Sequence, residues 1–217
     1  RHQTMKVFWK MRLLVVALMT LHLNANAQES STPLTQIMEG LSVRNIGPAG
    51  MSGRVTCITA HPNIPTTIYA GSASGGLWVS ENNGQSWSPL FQNEKVASIG
   101  AIAIDPIHPD IIYVGTGEGN PRNSQTSGYG LYKSYDGGQS WECLGLEETR
   151  TIHRILINPS NTDEIYVGAT GSAWGDSPRG VYKTTDGGKN WTQSLYIDGK
   201  TGAGDLVMDP NNPKKLI

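Results

Sequence analysis

Three stretches of this 217-residue chain set a polar residue in a small-residue turn at a fixed distance before a tryptophan. They are SYDGGQSW (134–141), TTDGGKNW (184–191) and the looser SENNGQSW (80–87). Carboxylates brought together in pairs can do acid/base chemistry at glycosidic bonds, so the first question is whether Asp136 and Asp186 are reagents. Their setting argues for architecture. A short carboxylate at the first bend of a hairpin accepts hydrogen bonds from backbone N–H groups a few residues on, and Gly138 and Gly188 permit a positive φ. Trp141 and Trp191 then open the next strand and can bury a large ring between neighbouring elements. Asn82 accepts the same bonds without a charge, which an acid catalyst would not survive.

Other chemistry-bearing residues are weaker leads. Gly115–Gly119 reads GTGEG, yet Asn120 breaks the G-x-G-x-x-G spacing and no helix follows to hold a phosphate. His108 and Asp110 beside Asp105 lie in a Pro-constrained turn, and the corresponding His61 and Asn158 do not preserve a ligand set, so no metal site is expected. Cys57 and Cys143 fall at unlike positions and read as two packed thiols. No cofactor is expected. The formal net charge is −1 with basic residues scattered along the chain, which leaves no footprint for nucleic acid.

The elements that must position these turns repeat as well. Pairs at His61-Pro62, Asp105-Pro106, Asn158-Pro159 and Asp209-Pro210 each follow a short apolar run: VTCITA, IGAIAI, IHRILI and DLVM. A second run follows each of the first three pairs, a third run precedes each tryptophan turn, and a fourth follows the tryptophan. Trp87, Trp141 and Trp191 stand 54 and 50 residues apart. Runs of four to six residues rich in β-branched and aromatic side chains, bounded by Gly, Pro, Asn and Asp, predict strands, four per unit. The fold class expected is all-β, a β-propeller of four-stranded antiparallel blades with three blades and the start of a fourth. In such a meander the tryptophan turns and the Pro turns share one face. The opposite face carries the loops between second and third strands.

Those loops differ in length. Between the flanking apolar runs they hold 5 residues in the first unit (72–76), 15 in the second (116–130) and 12 in the third (169–180). The two long ones mix charge, amide and aromatic groups, which on a rigid scaffold marks candidate ligand-binding residues. These are Glu118, Asn120, Arg122 and Tyr129 in one loop, and Trp174, Asp176 and Arg179 in the other, where Arg179 can also pair with Asp176. His153 and Arg154 open a first strand toward the central channel, and Asp205 is placed to balance Arg154 as a structural ion pair.

The pattern S-x-D-x-G-x-[ST]-W resembles the Asp box of BNR-repeat proteins, which include sialidases, xyloglucan-cleaving propellers and the Vps10 domain of sortilin-like receptors. The matching positions are Ser80, Asn82, Gly84 and Trp87; Ser134, Asp136, Gly138 and Trp141; Thr184, Asp186, Gly188 and Trp191. The GGLW and IYVGTGEG stretches look most like exported bacterial proteins of the sortilin and Vps10-like group. The resemblance implies binding of a protein, peptide or glycan ligand on the face opposite the Asp boxes. The alternative it implies is a glycoside hydrolase, with Glu118 and Asp176 as acids within reach and the rest of the catalytic set elsewhere. Xyloglucan-cleaving members place a catalytic aspartate just before the Gly-Gly of their first blade. Ala73 stands at the similar position here.

At the N-terminal end, residues 1–4 read as upstream read-through and residues 5–27 as a secretory signal: Lys6, Lys10 and Arg12 precede an apolar run that is too short to span a bilayer, and a cut is expected after Ala27. Residues 28–46 read as a linker, and 47–217 as a partial propeller that continues beyond Ile217. The chain is expected outside the cell or in the periplasm, with no membrane span once the signal is removed.

Overall fold

The computed structural model describes residues 54–120 and 123–217. The expected signal peptide, the linker, the start of the propeller domain and Arg122 lie outside the described residues.

Three four-stranded antiparallel sheets follow one another in chain order. The first contains β1 (Val55–Ala60), β2 (Ile68–Ser72), β3 (Leu77–Ser80) and β4 (Ser88–Pro89). The second contains β5 (Ile99–Ile104), β6 (Ile112–Thr116), β7 (Leu131–Ser134) and β8 (Glu142–Cys143). The third contains β9 (Ile152–Ile157), β10 (Ile165–Ala169), β11 (Gly180–Thr184) and β12 (Thr192–Leu195). A hairpin of β13 (Met208–Asp209) and β14 (Asn212–Leu216) comes last. Each sheet is a simple meander, and the expected all-β architecture is what the chain adopts. Registers repeat from sheet to sheet: Ile68 faces Ser80, Ile112 faces Ser134, and Ile165 faces Thr184.

The blades stack because each second strand carries a glycine where the next blade arrives. A Cβ on Gly71 would lie 2.6 Å from Ile99 Cγ2, one on Gly115 2.4 Å from Ile152 Cγ2, and one on Gly168 3.2 Å from Leu206 Cδ1. Ile99 and Ile152 are fully buried as a result and anchor two of the hydrophobic clusters. Burial of that kind stabilises by roughly 25 cal/mol for each Å² of apolar surface removed from water.

Every first strand also carries a bulge, so Thr56, Gly100 and His153 each fall between successive register pairs. The bulged residue meets neighbouring backbone. Thr56 Oγ1 donates to Ile99 O at 2.6 Å and to Gly71 O at 3.1 Å. At Gly100 a Cβ would sit 2.2 Å from Ile152 O, so no side chain fits there.

The turns on one face are tied to each other. Gly137 N donates to Asp110 O and Gly187 N to Asp163 O, both at 3.0 Å, and Asn83 N donates to Thr66 O at 2.9 Å. Within each Pro turn the leading side chain accepts from the backbone: His61 Nδ1 from Asn63 and Ile64, Asp105 Oδ1 from Ile107 and His108, and Asn158 Oδ1 from Ser160. A capping role shared by three residue types explains why no ligand set recurs there. Cys57 and Cys143 are both free, but Cys143 is exposed, contrary to the packed position expected of it. It lies on the two-residue outer strand β8, which has no further strand to cover it.

Candidate functional site on the long-loop face

The tryptophan turns close on themselves. Asp136 Oδ1 accepts from Ser134 Oγ at 2.7 Å and from the N–H groups of Gln139 and Ser140 at 2.9 Å, while Oδ2 accepts from Ser140 Oγ at 2.5 Å. Asp186 repeats this with Thr184 Oγ1 at 2.6 Å, Asn190 N at 3.0 Å and Asn190 Nδ2 at 2.7 Å. These bonds hold both carboxyls far below the usual carboxylate range, the Ser140 hydroxyl leading at Asp136 and the Thr184 hydroxyl at Asp186. Asn82 makes the same turn with an amide: Oδ1 accepts from Ser86 N at 2.9 Å, and Nδ2 donates to Ser86 Oγ at 2.8 Å. Gly84, Gly138 and Gly188 all have positive φ, and the N–H of each donates to the leading hydroxyl of its turn.

Trp141 and Trp191 reach across to the preceding blade, donating to Leu90 O at 3.0 Å and Leu144 O at 2.9 Å. Trp87 instead donates within its own turn, to Gly84 O at 3.1 Å, and stays 39% exposed.

On the opposite face the long loops turn two of the expected ligand-binding residues, Glu118 and Arg179, to bonds within the fold. Glu118 is fully buried, and its Oε1 accepts from Arg54 Nε at 3.0 Å and from Arg54 Nη2. Its other oxygen is buried without a partner. The carboxylate therefore joins the first blade to the second blade's loop. Gln125 Nε2 donates to Glu118 O and Glu118 N to Thr126 O, which folds the loop over it. Asn120 is exposed, and Tyr129 is 36% exposed with Lys95 Nζ 4.7 Å over its ring.

In the third blade Arg179 is engaged with carbonyls and makes no ion pair with Asp176. Nη1 donates to Thr170 O at 2.6 Å and Nη2 to Ser172 O at 2.5 Å. The guanidinium thus cross-links the two ends of the loop. Ser177 Oγ accepts from Ser172 N at 2.6 Å, and Ser172 Oγ from Trp174 N at 3.1 Å. Trp174 projects from this braced loop 70% exposed, the most exposed aromatic ring among the described residues. Asp176 is exposed beside it.

On β9, Arg154 Nε donates to Asp205 Oδ1 at 2.5 Å, the pairing expected from the repeat. His153 Nδ1 is buried and unpartnered against Gly119, whose Cβ would lie 2.2 Å away. Burial foremost, with Arg154 next, pushes the imidazole below its ordinary range. Ala73 is buried, and its N–H donates to Arg54 O at 2.9 Å. The position therefore supplies no acid.

The sequence reasoning missed Arg54 as the partner of Glu118, and it missed Tyr196, 55% exposed in the link after β12. The repeat alignment offered a signal for Tyr196, since links between blades emerge on the long-loop face.

No family model matches the chain. A xyloglucanase of a Paenibacillus species is 24% identical over 182 residues, covering 78% of this chain and 17% of its own length. A xyloglucanase of Hypocrea jecorina is 26% identical over 187 residues, covering 79% and 21%. The chain thus spans about a fifth of the length of these curated relatives. Among solved structures, an ancestral GH74 enzyme superposes with a TM-score of 0.63 at 23% identity, over 81% of this chain and 23% of that one. The sheet order, the repeating registers and this likeness together make the fold a β-propeller.

Proposed function

We propose that this protein binds a neutral polysaccharide of the xyloglucan type on its long-loop face, as an exported propeller of the BNR or Asp-box kind. The observation that carries this reading is Trp174, an indole held open to solvent on a loop braced by Arg179. An exposed rigid ring packs against the C–H face of a pyranose and loses little conformational freedom in doing so. The matching relatives are xyloglucanases, which supports a glycan over a protein ligand. Residues 5–27, as a signal cut after Ala27, fit a ligand met outside the cell.

Hydrolysis is a second, separable reading. It needs two carboxylates across the scissile bond. The position that resembles the catalytic aspartate of xyloglucan-cleaving propellers holds Ala73, and Glu118 is locked to Arg54, which leaves Asp176 as the exposed acid of the long loops and requires a second one for such a pair. Binding without cleavage, as in a sortilin-like receptor, is the contrasting case.

The test uses the full-length secreted protein in affinity electrophoresis through gels containing xyloglucan, with reducing-end release measured in parallel. Retardation that falls about tenfold or more in Trp174→Ala supports the reading. Unaltered retardation, or retention on a peptide array in place of xyloglucan, overturns it. Reducing-end release decides between hydrolase and binder.

A further inference from the structure

His153 falls at the bulge of β9, and its ring lies against the loop that follows β6. The contact is with Gly119, and only a glycine allows it: a Cβ there would lie 2.2 Å from His153 Nδ1, 2.4 Å from Cγ and 2.7 Å from Cβ. Closed in this way, Nδ1 is buried without a hydrogen-bond partner. The residue before Gly119 is Glu118, fully buried, with its N–H donating to Thr126 O at 3.0 Å. One corner of the second blade thus covers the ring and keeps a carboxylate out of water.

A charged ring does not suit this contact. Imidazolium carries a proton on both nitrogens, so an N–H at Nδ1 would be enclosed with no acceptor. Neighbouring charges do not offset that cost. Arg154, next along β9, disfavours the imidazolium, while Asp205, in the link ahead of β13, favours it but is already bound to Arg154 Nε at 2.5 Å. On the second-blade side Glu118 Oε1 accepts from Arg54, and Glu118 Oε2 and His153 Nδ1, both without a partner, are not bonded to each other.

We propose that His153 is a proton-operated catch for the second blade's loop: acidification charges the ring, the Glu118–Gly119 corner lifts away so that Nδ1 reaches water, and the long-loop face loosens. The catch concerns how the face is held and is independent of which ligand the face takes. In the closed contact the ring binds a proton less readily than it does in water, burial being the main cause. Closure is therefore at full strength above the ordinary imidazole pKa of about 6.5 and weakens as pH falls below it. Asp136 and Asp186 titrate far below that window and do not contribute to the change.

Hydrogen exchange of the full-length protein, corrected for the intrinsic pH dependence of amide exchange, reads the catch at the Gly117 and Glu118 amides, which donate to Ser98 O and Thr126 O. The parent, His153→Gln and Gly119→Ala are compared at pH about 7.5 and about 5.5. In the parent, protection at these two amides is expected to fall several-fold on acidification, up to the roughly tenfold that one imidazole can supply over that range, with the amides of β6 and β9 unchanged. His153→Gln, which has no proton to take up, is expected to show no such fall, and Gly119→Ala, which forces the contact apart, to show low protection at both pH values. Equal protection in the parent at the two pH values overturns the proposal whether or not either variant folds. So does a fall that persists in His153→Gln, a fall shared by β6 and β9, or protection that rises on acidification, as it would if the imidazolium donated to Glu118 Oε2.

Discussion

Trp191 donates its indole N–H to Leu144 O at 2.9 Å, and Leu144 lies three residues after the tryptophan of the preceding blade. Trp141 and Leu90 repeat the relation at 3.0 Å, again three residues after Trp87. The leucine side chains add to it, because Leu144 Cδ1 would touch a Cβ on Gly188 at 2.6 Å and Leu90 Cδ1 one on Gly138 at 2.9 Å. One motif therefore closes its own hairpin and fastens the blade to its neighbour.

Separating the ring from its hydrogen bond is straightforward. Trp191→Phe keeps an aromatic ring and loses the donor, so it is expected to cost about 1 kcal/mol, while Trp191→Ala costs about 3–5 kcal/mol. Urea unfolding of both variants checks the order. Equal losses would mean that the bond to Leu144 contributes nothing.

Glycines of the second strands predict a graded series. Gly115→Ala drives a methyl to 2.4 Å from Ile152 Cγ2 and 3.1 Å from Ile152 O, and backbone cannot move aside cheaply. A loss of about 1–3 kcal/mol is expected. At Gly168 the nearest atom is the flexible end of Leu206 at 3.2 Å, so Gly168→Ala is expected to cost less. Thermal melts of the pair give the ranking.

How much of this was legible in the sequence follows from what is local. The tryptophan turns and the Pro turns are built from bonds within five residues, such as Asp136 to Ser140 and Asp105 to His108, so residue types alone indicated them. Strand number and order followed from the repeat. Arg54 and Glu118 are 64 residues apart and pair because neighbouring blades bring them together, which no spacing within a repeat encodes. Arg179 illustrates a different gap. Its charge pointed to Asp176, but the guanidinium donates to the loop carbonyls of Thr170 and Ser172 instead, so backbone demand won.

Acid sensitivity is expected of the carboxylate turns. The Asp136 carboxyl titrates below its unfolded value of about 3.9, so the stabilisation it gives is fully present above that pH and is lost as pH falls through its folded value. Asp136→Asn imitates the Asn82 turn, keeps the backbone bonds and has no proton to take up. The variant should fold at neutral pH and lose less stability than the parent between pH about 4 and 2. Urea midpoints across that range measure it, and parallel pH profiles would refute the linkage.

Cys143 faces Tyr132 across the β7–β8 pair, where the third blade has Gln193 facing Tyr182. Gln193 Nε2 donates to Tyr182 Oη at 3.3 Å, whereas Tyr132 Oη is buried without a partner. Burial foremost, with the thiol of Cys143 next, pushes the Tyr132 phenol up to about 12. Cys143→Gln supplies the missing donor and is expected to stabilise by about 1 kcal/mol. A melting temperature at or below that of the parent would show that the amide does not reach.

The Arg54 and Glu118 pair carries the last prediction, because the carboxylate is fully buried while the Arg54 side chain is 42% exposed. A buried charge left alone is costly, but the exposed guanidinium can recover water when its partner goes. The two single variants should therefore differ: Arg54→Ala strands Glu118 and costs more than Glu118→Ala does. A double-mutant cycle is expected to give a coupling of about 1–3 kcal/mol. Hydrogen exchange at Gly117 and Gly128 adds a local readout, since their N–H groups donate to Ser98 O and Arg150 O and pin this loop to the flanking links. Faster exchange there in Arg54→Ala, with the β-strand amides unchanged, would locate the effect in the loop of the candidate site. A coupling indistinguishable from zero would make the pair a bystander and leave Gln125 and Thr126 to hold the loop.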